Sequence, residues 1–480
     1  MNLLLPIIIF FSGIGLVIAD ASSSEGGLLP ESRFSGYFKN EVAYRFSEPR
    51  TYTKIRSTVY FENLTPIYKR HNFFASAWAY HDFVYDVFDY DTIAARSERD
   101  SEQPLAFVET LAQEKDSDVA EFRELYFDFV FDDFDFRLGK QFIVWGVIPG
   151  VRLVDEINPQ DFRELILLDL LDYRIPLWSA KLDYYHSMGD FQFIWIPDLR
   201  FHKPAPRGSE WELLQEVPGT KYPEKDKLGN TEVGFRYSFE LMQAQLSLSY
   251  FYTWDDFPVI FRNVLNTQDA GDAGETAVNN PPEFLPRYAR MHMYGLTFTR
   301  PFFDSIVSSE LVYVTDKYFG TSFADRDGDD FLDNQGVLKR NHIRFGLSVD
   351  LNIFHTEISP GITQQLILGY DPSLIQNQLD TSFNIFIRKK LDESSAVFEL
   401  LGIYLVDLKE IYLKPRFTFS PAEKVTLSVG VDWFKGAKSR TGTVAVRGDP
   451  TNLRFVTQST QFFGNFDNHD RLFMEFKISF

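Results

Sequence analysis

The chain has no cysteine among its 480 residues. That removes disulfide scaffolds, thiolate metal sites, iron–sulfur clusters and a lipidated cysteine anchor, and it fits a long chain that crosses an oxidising envelope compartment unfolded. Beyond residue 21 no apolar run reaches the roughly 18–20 residues that a membrane-spanning helix needs, which excludes a helical membrane protein. A transmembrane barrel survives this test, because its strands alternate lipid-facing and lumen-facing residues and average out in a hydropathy window. Basic residues are also in deficit: 48 Lys and Arg stand against 68 Asp and Glu, a net charge of −20. Affinity for phosphate backbones comes from Lys and Arg, so no nucleic-acid partner is expected. The excess acid implies solubility, or outward loops that divalent ions bridge to lipopolysaccharide. Enzyme signatures are missing too. There is no HExxH, nucleophile elbow, P-loop or dinucleotide fingerprint, and the eight histidines are scattered; a rim site would draw on His202, His292 and His342. The expectation is a protein that is not an enzyme.

What is present is aromatic: 49 Phe and 23 Tyr. Leu3 to Ile18 form an apolar core and Ala19-Asp20-Ala21 a small-x-small cleavage site, so 1–21 reads as a signal peptide, 22–32 as a flexible leader and 33–480 as one barrel domain. Alternation with a period of two recurs along the whole chain. Val233, Phe235, Tyr237, Phe239 and Leu241 alternate with Glu232, Gly234, Arg236, Ser238 and Glu240. Ile343, Phe345, Leu347, Val349 and Leu351 alternate with His342, Arg344, Gly346, Ser348 and Asp350, and similar runs start at Phe34 and Val425. Each run is close to the roughly 9–11 residues that cross a bilayer as a tilted strand.

Read this way, the chain holds about eighteen strands, centred near residues 40, 59, 78, 126, 139, 181, 194, 236, 249, 294, 311, 347, 366, 385, 402, 415, 429 and 476. The second strand and the one near residue 311 are the weakest; without one such hairpin the count falls to sixteen. Short links follow even-numbered strands, as at Phe131-Asp132-Asp133 and Ser187-Met188-Gly189-Asp190, whereas long connections (roughly 86–120, 146–173, 200–228, 256–285, 316–337 and 436–470) follow odd ones. Sorting by parity is the asymmetry of outer-membrane barrels, with short periplasmic turns and long extracellular loops. The closing segment alternates Leu472, Met474, Phe476, Ile478 and Phe480 and ends on Phe, which looks like the signal read by the barrel assembly machinery. The fold class is therefore all-β, a transmembrane antiparallel barrel.

Arg137-Leu138-Gly139-Lys140-Gln141, then Val144-Trp145-Gly146, then Ile157-Asn158-Pro159 with Asp161 and Arg163, resemble a family of porin-like outer-membrane proteins of uncharacterised function that is distantly similar to alginate-export porins. The close resemblance covers residues 121–175 and the C-terminal strand. It implies an outer-membrane channel, working alone or beside an inner-membrane export system, and does not fix the substrate.

Three constellations are candidate sites. In the 146–173 loop, Asn158 and Pro159 suit the start of a helix, and the apolar residues that follow, Leu165, Ile166, Leu168, Leu170 and Leu171, need burial. The loop is expected to be helical, to fold into the lumen, and to bring Asp155, Glu156, Asp161, Arg163 and Glu164 to the pore; capping the mouth or touching a neighbour is the alternative. Arg45, Arg137, Arg236, Arg344, Arg388 and Arg416 fall on lumen phases, most clearly Arg137, Arg236 and Arg344. Facing an acidic loop they would set a transverse field; otherwise they are interior salt bridges. Asp325, Asp327, Asp329 and Asp333 have calcium-loop spacing, but Asp330 stands where such loops need Gly and Gly336 where they need Glu. The alternatives are a surface Ca2+ site and a solvated acidic loop, and no other cofactor is expected. Trp78, Tyr80, Trp145, Trp178, Trp195, Tyr250, Tyr252, Trp254 and Trp433 near strand ends read as interfacial girdles.

The functional expectation is a porin in the bacterial (Gram-negative) outer membrane, its lumen narrowed by the 146–173 loop. Two alternatives stay open: a conduit for hydrophobic or lipid-like molecules, and a non-transporting adhesion or scaffold barrel. Expected partners are outer-membrane lipid and lipopolysaccharide, the assembly machinery, a periplasmic or inner-membrane export partner for a conduit, and further copies of the chain in a homotrimer.

Overall fold

A computed structural model describes residues 32–68, 70–88, 118–169, 172–205, 210–211, 220–263, 283–321, 336–391, 395–437, 442–443, 454–455 and 462–480. Eighteen strands form a single sheet. They are β1 (Arg33–Arg45), β2 (Thr51–Tyr68), β3 (His71–Asp82), β4 (Asp118–Val130), β5 (Phe134–Gln141), β6 (Leu177–His186), β7 (Gly189–Ile196), β8 (Glu232–Leu241), β9 (Ala244–Trp254), β10 (Arg290–Phe302), β11 (Ser305–Gly320), β12 (Val337–Ile353), β13 (Thr356–Ile367), β14 (Leu379–Lys390), β15 (Ala396–Leu405), β16 (Glu410–Ala422), β17 (Val425–Lys435) and β18 (Arg471–Ser479). Each pairs antiparallel with its neighbours in sequence, and β18 pairs with both β17 and β1, so the sheet closes. Closure leaves no edge whose backbone groups would go unpaired in lipid.

All eighteen expected centres lie inside these strands, and every long connection follows an odd-numbered strand, although the links after β1 (46–50) and β15 (406–409) are also short. The two weakest strands are among the longest, β2 with 18 residues and β11 with 16. In β11 a register shift between Val314 and Lys317, with Asp316 at φ 67°, moves the alternation out of phase. The period-two signal fades there because a bulge inserts an extra residue, while the pairing continues.

Alternation sorts the wall into two faces. Phe193, Trp195, Val233, Leu248, Tyr294, Leu311 and Val429 are exposed on the outside; Arg236, Glu310, Arg344 and Asp432 lie on the opposite, lumen phase. The exposure that the girdle reading requires is found at Trp178 and Trp195. It fails for Trp78, Tyr80 and Trp145, which are buried on the lumen side. Arg123 stacks on the Trp78 ring at 4.1 Å and Arg56 on Tyr80 at 4.3 Å, so these rings pack against cations inside the wall. At the seam, the Phe480 N–H donates to the Gly36 carbonyl at 2.9 Å, and the Gly36 N–H donates in return to the Phe480 main-chain oxygen at 3.2 Å. A side chain at position 36 would meet the Phe480 ring at 2.7 Å, so glycine makes room for the terminal aromatic.

Candidate functional site

The described residues of the connection from β5 to β6, 142–169 and 172–176, bond to inward side chains of the wall. The loop's backbone donors can be traced one by one, as burial requires. Phe142 donates to Glu124 on β4, and Ile143 and Trp145 donate to the loop's own Asn158 and Asp155. Val147, Ile148 and Val154 donate to Glu310 on β11. Gln160 donates to His202, Asp161 to the Tyr173 carbonyl and Phe162 to the Lys203 carbonyl. The helix expected after Asn158 is not formed among the described residues, where turns and isolated bridges run instead. The physical reason is that Asn158 accepts from Ile143 and donates to the Ile175 carbonyl, tying the two ends of the loop together, and that Leu165 takes φ 53°, which interrupts any helix. Leu165 and Leu167 find their burial against Trp211, Tyr412, Phe434, Phe463 and Phe466. Leu170 and Leu171 lie outside the described residues.

The loop has two unlike sides. On one, Ile143, Trp145, Leu153, Val154 and Ile157 pack on inward residues of β6, β7 and β9–β11: Leu177, Ile194, Ile196, Phe251, Met291, Met293, Val312 and Val314. Burial of this kind contributes up to about 1.5–3 kcal/mol per large side chain. Three inward glycines on alternate strands give the loop clearance. A Cβ at Gly234 would meet Trp145 at 2.7 Å, one at Gly295 would meet Val154 at 3.2 Å, and one at Gly346 would meet Leu153 at 2.5 Å. Sequence reasoning missed this seat, although Gly234 and Gly346 stand on lumen phases where polar residues otherwise alternate.

The other side is ionic. Glu156 makes a two-pronged pair with Arg344 on β12, at 2.5 and 2.9 Å. Burial pushes the Glu156 carboxyl up, but Arg344 beside it prevails and holds it at about 2. Glu164 lies between Arg56 at 2.5 Å and Lys54 at 2.9 Å, both on β2. Burial again opposes, and those two cations hold its carboxyl at about 2. Asp155 pairs with Arg174 within the loop, and Asp161 pairs with Arg163 at 2.5 Å. Asp169 meets Arg416 on β16 at 3.2 Å and Asp172 meets Lys39 on β1 at 3.7 Å. Burial, with Asp169 nearby, raises the Asp172 carboxyl, whereas Arg416 and Lys414 outweigh burial at Asp169 and lower it.

The six arginines on lumen phases divide into groups. Arg344 and Arg416 reach the β5–β6 loop, and Arg45 reaches Glu210 of another loop. Arg137 and Arg388 instead pair with strand neighbours, Asp128 at 3.0 Å and Glu399 at 3.5 Å. Arg236 has no ion pair among the described residues. Between the loop and β1–β3 lies a narrow cleft of about 40 Å³ lined by Lys39, Glu41, Arg56, Thr58, Trp78, Tyr80, Tyr85, Asp161, Arg163, Glu164, Leu168 and Asp172. Lys39, Glu41, Arg56 and Tyr85 are lining residues that the sequence reading did not single out.

The histidines do not gather. His202 is buried under the loop, where its Nδ1 accepts the Gln160 N–H and burial lowers it to about 3. His292 lies on an outward phase and His342 on an inward one. No group of three His, Asp or Glu suited to a metal occurs among the described residues. Asp325, Asp327, Asp329 and Asp333 lie outside them.

Residues 58–191, from β2 into β7 and including the whole β5–β6 loop, match a family described as "Protein of unknown function (DUF1302)". No curated protein matches the chain. Solved structures similar in fold include OccAB3 of Acinetobacter baumannii, 9% identical with a TM-score of 0.47 over 94% of this chain and 99% of that one. OccK8 (OprE) of Pseudomonas aeruginosa is 9% identical with a TM-score of 0.48 over 95% and 99%. The outer membrane protein opdK of Pseudomonas aeruginosa is 8% identical with a TM-score of 0.48 over 94% and 99%. None of these three is an alginate-export porin.

Proposed function

We propose that the protein is an outer-membrane channel for small polar solutes, with both chain ends at the short-turn, periplasmic rim and its narrowest passage between the β5–β6 loop and β1–β3. Barrels of about 16–18 strands are wide enough for an aqueous lumen, and lumen-lining charges select solutes without a cofactor. The observation that carries this reading is the narrow cleft beside the loop, about 40 Å³ and lined by charges of both signs with Trp78, Tyr80 and Tyr85. Wall cations Lys39 and Arg56 face loop acids Glu164 and Asp172 there, so a passing dipole meets a transverse field.

The test is reconstitution into planar bilayers. The native barrel is expected to conduct, and removal of residues 155–172 to raise conductance and erase ion selectivity. Silence of both proteins overturns the reading. A second reading, a conduit for apolar molecules, is favoured by the Phe251, Met291, Met293, Val312 and Val314 surface beneath the loop. It predicts that a fluorescent fatty acid binds the loop-deleted barrel better than the native one.

A further inference from the structure

Glu310 projects from the middle of β11 into the lumen and is 0% exposed. A carboxylate in that position ordinarily requires a cation, yet no ion pair reaches it among the described residues. Its partners are main-chain donors of the β5–β6 loop. Oε1 accepts the Val147 N–H at 2.6 Å and the Ile148 N–H at 2.9 Å, and Oε2 accepts the Val154 N–H at 3.0 Å. These donors lie on both limbs of the turn at Gly150, so one side chain closes the tip of the loop. The surroundings fit this role. Register neighbours of Glu310 are Thr297 and Gly346, both small. A Cβ at Gly146 would sit 3.1 Å from the Glu310 Oε1 and 2.8 Å from Asp155. The glycine of the Trp145-Gly146 motif is therefore what lets the loop backbone approach the carboxylate.

We infer that Glu310 is the positioning residue of the constriction, an anion fixed to the wall that clamps the loop tip through three N–H groups. The loop is consequently a fixed part of the pore wall and not a gate. The consequence for conductance rests on the channel reading above; the clamp itself does not.

The test uses a thiol introduced by Leu153→Cys, which is unique because the chain has no cysteine. Leu153 is 6% exposed at the loop tip. The labelling rate with a small water-soluble maleimide is measured in the full-length barrel with Glu310 intact, with Glu310→Ala and with Glu310→Gln, folding being checked by the heat-dependent gel shift. Charge-assisted bonds to a buried carboxylate are strong enough that their loss should speed labelling roughly tenfold in Glu310→Ala. Glu310→Gln, which keeps one oxygen acceptor, should fall between. An unchanged rate in Glu310→Ala overturns the clamp. If Glu310→Ala does not fold, Glu310→Gln decides, and an unchanged rate there overturns it equally. Single-channel recording on the same proteins separates the two readings. Faster labelling with no conductance in any of them supports the clamp and removes the channel, whereas steady conductance with unchanged labelling does the reverse.

Discussion

Single residues decide how the loop sits. At Gly234 an added Cβ would meet the Trp145 ring, and at Gly346 it would meet the Cδ1 atoms of Leu153 and Ile148. An indole buried to 1% exposure cannot yield as an aliphatic chain end can. Gly234→Ala should therefore cost about 1–3 kcal/mol as an overpacked site and red-shift tryptophan emission, while Gly346→Ala costs less and leaves emission unchanged. Equal effects would show that ring rigidity is not the deciding factor. The Glu156–Arg344 pair gives a second expectation. Arg344→Met leaves a mostly buried carboxylate alone and should cost about 3 kcal/mol, and adding Glu156→Gln should recover much of that, as a double-mutant cycle reads it. The pH dependence follows from the same carboxyls. Glu156 and Glu164 are held at about 2 from an ordinary 4.5. A depressed pKa in the folded state contributes stability above the unfolded value, lost as pH falls through the folded one. Loop seating, read by labelling of Leu153→Cys, should hold from neutral pH to about 4.5 and weaken from there towards 2. Loosening that begins at pH 6 would contradict this assignment.

At the level of elements, the strands were legible because one face must be apolar and the other polar, and that alternation is local in sequence. Val233–Leu241 and Ile343–Leu351 carry it cleanly, and the structure pairs both as expected. The β5–β6 loop was legible only in outline. Its run of leucines announced burial, but the partners, Tyr412, Phe434 and Phe463, lie more than two hundred residues away. No local pattern encodes which wall a loop meets. The helix expected after Asn158 failed for that reason: a capping side-chain oxygen accepts local N–H groups, and here the Ile143 N–H took it instead. Gly234 and Gly346 were visible on their phases, but an inward glycine gains meaning only once something large is known to lie above it.

At the level of the whole molecule, the seam between β18 and β1 makes the barrel all-or-none. Gly36→Val should disturb both the Tyr60 carbonyl on β2 and the Phe480 ring, and so lower the yield of the compact, heat-modifiable form on a gel. A full yield would mean that the last residue is dispensable for closure. The lipid-facing and lumen-facing phases read from sequence define the same cylinder that the pairing closes, so fold class was the most legible property of all. The proposed passage was the least legible, because it is the space left over by a loop whose anchors come from across the chain.

Those anchors have a temporal consequence. The β5–β6 loop is made early, but Glu310, Arg344, Lys414 and Arg416, which hold it, are made much later. A nascent chain cut short after β9 would carry the loop with Glu156 and Asp169 without Arg344 and Arg416, and with Leu165 and Leu167 without Tyr412, Phe434 and Phe463. A cylinder that closes around the loop, in the manner of a hand closing on a rope, spares the loop from pushing its charges past a completed wall.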